Sequence, residues 1–161
     1  MAIWPELEDI YLLFPKLRDE EHAVTSPASA SCNCVSWVMQ DTSRVWWPSR
    51  LLRFYWPPGV RREETVSAFE EAFAASGYTP CATGDAEDGV EKVALYVDPA
   101  SGKPAHAARQ IASGAYRGHW SSKLGSEVDI RRRTTSALEG QQYGVVYRYY
   151  SRPLRNQTEA S

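Results

Sequence analysis

The hydrophobic period of this chain changes once, near Glu91, and that change constrains the fold more than any other feature. Ahead of it, apolar residues recur at helical spacing. "REETVSAFEEAFAASGY" sets Val66, Phe69 and Phe73 on one face, carries acids at its front and stops at Gly77. Residues 4–14, "WPELEDIYLLF", have Pro5 and acids early and Pro15 behind them, which suits a short helix. Another helix is expected from about Cys34 to Gln40, after the small-residue loop "TSPASASCN", where Ser31 and Asn33 both qualify as N-caps. Beyond Glu91 the period is two. "EKVALYVD", "PAHAARQI", "GHWSSKLG" and "YGVVYRYYSR" are expected strands near residues 91–97, 104–111, 118–124 and 142–151. "SEVDIRRRTTSALEG" is expected to be a loop with one or two helical turns. The expected fold class is therefore α+β, with N-terminal helices packed on a C-terminal antiparallel β-sheet.

Length and charge narrow the function. A chain of 161 residues without internal repeats is expected to form one domain over 1–155, with 156–161 a frayed tail. A formal charge of -2 offers no basic field, so a nucleic-acid partner is not expected. No apolar run approaches the roughly 18 residues of a membrane span, and "MAIWPELEDIYLLF" is acidic where a signal peptide is basic, so no membrane partner and a cytoplasmic location are expected. The three cysteines are expected as reduced thiols, since Cys32 and Cys34 are too close to bridge without strain. His22, His106 and His119 fall at no metal-ligand spacing, so neither a metal nor a cofactor is expected.

The stretch "SASCNCVSWVMQDTS" sets the chemical question. A cysteine at a helix start meets unpaired backbone N–H groups that favour its thiolate, which makes Cys34 a candidate nucleophile. His106 is the candidate base: the alternation in "AHAARQ" turns His106, Ala108 and Gln110 to one face, among small neighbours. A hairpin across "ASGAYR" would set Ser121 to Lys123 opposite His106, so Ser122 is a candidate to bond its second ring nitrogen. Asp129, from the following loop, is the other candidate. The plainer alternatives stay open, namely Cys34 as a small buried apolar residue and His106 as an ordinary strand histidine. Cys32 and Cys81 are expected to be structural, His119 incidental, and Lys123 and Arg131 to Arg133 solvated. Trp46, Trp47, Tyr55 and Trp56 cover a face of the core or line a groove.

"NCVSWV", followed by "EKVALYVDPASGKPAHAARQI" and "GHWSSKLGSEVDI", is similar to the papain-like fold in its compact bacterial form, the NlpC/P60-type cysteine peptidases and amidases. The chain also resembles, over nearly its full length, a family of small bacterial proteins with N-C-x-x-W, H-A-A-R-Q and W-x-S-K-L-G motifs. The peptidase resemblance implies Cys34 as nucleophile, His106 as base and Ser122 or Asp129 as the orienting group. It implies a hydrolase or acyl-transfer protein acting on a peptide, amide or thioester substrate. The competing expectation is a non-catalytic binding or immunity-type module that holds a partner protein on its aromatic patch.

Overall fold

A computed structural model describes residues 7–26, 31–50, 53–124 and 128–154. The tail expected at 156–161, Pro5 and part of the loop before Ser31 lie outside the described residues. Among the described residues the chain forms α1 (Leu7–Leu13), a 3-10 turn (Pro15–Asp19), β1 (His22–Ser26), α2 (Cys34–Val38), α3 (Val66–Ala75) and β2 (Thr79–Cys81). It continues with β3 (Val90–Val97), β4 (Pro104–Gln110), β5 (Trp120–Lys123), β6 (Asp129–Arg132), a second 3-10 turn (Ser136–Leu138) and β7 (Val145–Pro153).

The fold is α+β, built on one seven-stranded sheet in the order β1-β6-β5-β4-β3-β7-β2, with every pairing antiparallel. Four of these strands answer to the expected ones. The other three are corrections. β1 comes from the N-terminal half, β2 follows α3, and β6 lies within the segment expected as a loop, so Asp129 is a strand residue. β1 and β2 are too short to display a period, and the "DIRR" of β6 is charged although it is buried throughout.

The acids expected at the front of α3 lie before the helix, and Thr65, not they, caps it. The Thr65 hydroxyl accepts from Ala68 N and starts α3. Gly77 (φ +91) ends it, with Tyr78 N bonded to Phe73 O and Gly77 N to Ala74 O. α2 stops at Val38, before the expected Gln40, because Gln40 itself takes the left-handed conformation (φ 60) and Asp41 N returns to Ser36 O.

The sheet is covered on both faces, which is why β3 is almost continuously apolar. On one face Val93, Leu95 and Ala107 pack with Cys34, Val35 and Val38 of α2 and Phe69 and Phe73 of α3. On the other, Ala94, Tyr96 and Ala108 pack with Ile10 and Phe14 of the α1 region and with Leu138. The helices are thus divided between the faces, and α2 lies against β4 and β5.

Candidate functional site

Asn33 fixes where α2 begins. Its backbone is extended, its Oδ1 accepts from Ser36 N at 3.1 Å, and its own N–H donates to Ser36 Oγ at 2.8 Å. This reciprocal cap leaves Cys34 as the first helical residue, as expected from the sequence. The Cys34 side chain is buried, and burial pushes its thiol up to about 11. Backbone N–H groups of Ala107, Val35 and Cys34 act in the opposite sense, favouring the thiolate, but desolvation outweighs them. At neutral pH Cys34 is a thiol.

The sulfur meets β4 where its ladder to β5 stops. Only Arg109 with Ser121 and Gln110 with Trp120 are paired between these strands. Ser122 Oγ donates to Ala107 O at 3.5 Å, which orients the peptide edge of Ala107, carbonyl and N–H alike, toward β5. Cys34 therefore contacts an unpaired stretch of strand edge adjacent in sequence to His106.

His106 lies opposite Tyr96 in the β3–β4 ladder and contacts its ring edge-on, with centroids 5.2 Å apart. Tyr143 stacks on the imidazole at 3.8 Å with 5° between the planes. The ring is buried and neither nitrogen has a hydrogen-bond partner. Desolvation, and then the charge of Arg132, hold its pKa well below the ordinary value, so the imidazole is neutral.

The four residues singled out by sequence are brought together only in part. Cys34 belongs to the Leu95 and Ala107 face, whereas His106 shares its face with Tyr96 and Tyr143, and no hydrogen bond joins the two. Neither expected orienting group bonds His106, which corrects that part of the arrangement. Ser122 Oγ accepts from Arg132 Nη1 at 2.7 Å. Asp129 pairs with Lys123 across β5 and β6, and its Oδ1 has no partner. Its surroundings include Lys123 and Arg109, but desolvation is the larger effect and pushes the carboxyl up to about 6.

Other expectations change on burial. Lys123, Arg131 and Arg132 are buried and not solvated, while Arg133 is exposed. His119 lies against Arg131 Nη1 and His22 bonds Tyr11, so the other two histidines each have a polar partner. Trp46 and Trp56 are core residues; Trp47 and Phe54 line a cleft of about 670 Å³ with Arg50, Arg62 and Lys103.

Sequence reasoning missed Tyr143, Tyr96 and Arg132. Tyr96 OH donates to Thr135 O at 2.6 Å and accepts from Arg132 Nη2 at 3.0 Å. Tyr143 stacks on His106, and burial raises its phenol pKa. "QQYG" carries no signal that would have selected it. Among the described residues, no group of three or more His, Cys, Asp or Glu is arranged to hold a metal, and no helix is long and apolar enough to cross a membrane.

The sequence model of a family described as a domain of unknown function, DUF7689, matches residues 23–151, and the chain belongs to that family. No curated protein and no solved structure matches the chain significantly.

Proposed function

We propose that the protein is a papain-like cysteine hydrolase or acyl-transfer protein in which Cys34 is the nucleophile and His106 its base. The observation that carries the reading is the neighbourhood of Ala107. Its backbone N–H acts on the Cys34 sulfur, and the residue beside it is a buried imidazole with two unpaired nitrogens. Buried polar groups are nearly always bonded, and leaving one open costs roughly 1–3 kcal/mol, a cost understandable where the group serves a reaction.

In the proposed reaction the imidazole, released from its stack on Tyr143 and brought to the Cys34 sulfur, takes the thiol proton as sulfur attacks an amide or thioester carbonyl. The Cys34 N–H helps bind the oxyanion, and the imidazolium returns its proton to the leaving amine or thiol. Water or an acceptor then releases the acyl group from Cys34. Because the resting pair is thiol and neutral imidazole, the proton moves during attack and not before it.

The test is acylation by p-nitrophenyl acetate, followed by mass spectrometry of the cysteine peptides. An acetyl group confined to Cys34, lost in Cys34→Ala, slowed in His106→Ala and unaffected in His119→Ala, is the expected outcome. Acetylation spread evenly over the three cysteines, or an unchanged rate in His106→Ala, overturns the reading. One observation favours a second reading in that event. The cleft beside Trp47 and Phe54 sets aromatic rings among charges of both signs, Arg50, Arg62 and Lys103 with Glu63 and Glu64, a surface suited to a partner protein.

A further inference from the structure

Residues 140–144 form a closed loop. Gly140 and Gly144 exchange two backbone hydrogen bonds, of 2.9 and 2.8 Å, and both have positive φ. A Cβ on Gly144 would stand 1.9 Å from Val97 O, so the loop returns hard against the end of β3. Gln141 and Gln142 between these glycines are exposed. Tyr143 is the loop residue turned inward, where it packs with the second core and lies parallel on His106 at 3.8 Å. Phe14 of the α1 region closes its other side at 5.1 Å.

We propose that Tyr143 is a latch: its ring holds the His106 imidazole on the face away from Cys34, and the site opens when the 140–144 loop releases it. The inference rests on the reading of Cys34 and His106 as a catalytic pair. Three features of the fold support a release at this point. The loop is joined to itself by two hydrogen bonds, and the residues between its ends are solvated. The imidazole bonds nothing, so only ring stacking and burial keep it where it is. Cys34 packs with Ala107, the residue next to the imidazole that Tyr143 covers. The departure of the Tyr143 ring frees the imidazole that adjoins this contact in sequence.

Iodoacetamide labelling of the full chain tests the latch, with Cys32 as internal reference because it too is buried. In Tyr143→Ala the loss of the stack is expected to speed Cys34 alkylation by roughly tenfold or more at about pH 8, with Cys32 unchanged. Tyr143→Phe retains the ring and is expected to label like the parent. If Tyr143→Ala fails to fold, the parent protein still decides the matter: exchange of the Gly140 and Gly144 amides should report the same opening constant as Cys34 labelling. The latch is overturned if Cys32 and Cys34 accelerate together, if neither does, or if the loop amides and Cys34 open with different constants. A Tyr143→Ala protein that frees Cys34 but still fails to acetylate it from p-nitrophenyl acetate leaves the latch standing and rejects the catalytic pair.

Discussion

Asn33 and Trp46 exchange two hydrogen bonds: Asn33 Nδ2 donates to Trp46 O at 2.8 Å, and Trp46 N donates to Asn33 Oδ1 at 3.3 Å. The same Oδ1 accepts from Ser36 N. One amide side chain thus starts α2 and ties it to the aromatic segment that follows. Trp46 is held from its other end by Asp41, whose Oδ2 accepts the indole N–H at 2.9 Å.

Asn33→Ala is therefore expected to cost about 2–3 kcal/mol, the sum of a lost cap and two unmatched backbone groups. Asn33→Asp keeps the acceptor and loses only the donor to Trp46 O, so its cost should be about 1 kcal/mol. Urea unfolding of the two variants measures the difference. Equal costs would mean that the acceptor, and with it the cap, contributes little.

The pH dependence of stability should contain two opposed contributions. Asp129 titrates at about 6 in the folded chain, above its unfolded value of about 3.9. Its contribution is fully present below the unfolded pKa and is lost as pH rises through about 6. The His106 pKa is depressed, so its contribution is present above the unfolded value of about 6.5 and is lost as pH falls. Between about pH 4 and 6.5 the two partly cancel. Asp129→Asn should steepen the loss of stability on acidification by on the order of 1–2 kcal/mol across the window, and His106→Phe should turn it toward a gain. Unfolding midpoints measured at several pH values check the signs. Parallel curves for the parent and both variants would reject them.

Gly144→Ala and Gly59→Ala separate close approach from backbone strain. Both glycines have positive φ, +74 and +81, but a Cβ at Gly59 meets nothing within 4 Å, whereas one at Gly144 strikes Val97 O. Gly59→Ala should cost about 1 kcal/mol and Gly144→Ala at least about 3 kcal/mol, because there the sheet end must shift as well. Thermal unfolding ranks them, and similar costs would show that the Gly144 loop moves freely.

Legibility in the sequence followed how local the cause was. α3 was readable because Phe69, Phe73 and Gly77 act within one helix, and the Cys34 start because Asn33 stands beside it. The alternation that puts His106 with Ala108 was readable too, since it depends only on strand geometry. Which of the two faces α2 covers is a tertiary choice, and α2 chose Ala107. β6 was hidden because its arginines find partners from distant segments: Arg131 meets Glu21, and Arg132 meets Ser122 and Tyr96. A buried strand so furnished has the composition of a loop.

Arg132 supplies the last prediction. It is fully buried, its bonds go to Ser122 Oγ and Tyr96 OH, its Nε has no partner, and among the described residues no carboxylate is bonded to it. A buried cation held only by neutral groups recovers little of its desolvation cost, so an apolar side chain of similar length should serve as well. Arg132→Met is expected to leave stability within about 1 kcal/mol of the parent or to raise it. Ser122→Ala, which keeps the charge and removes an acceptor, should cost about 1–3 kcal/mol. The charge of Arg132 also helps depress His106, though burial does more. In Arg132→Met the His106 pKa, followed by NMR of the ring, should therefore rise while staying below about 6.5. A large loss of stability in Arg132→Met would show that the guanidinium organises β5 and β6 in a way its neutral partners do not reveal. An unmoved His106 resonance would place its depressed pKa on desolvation alone.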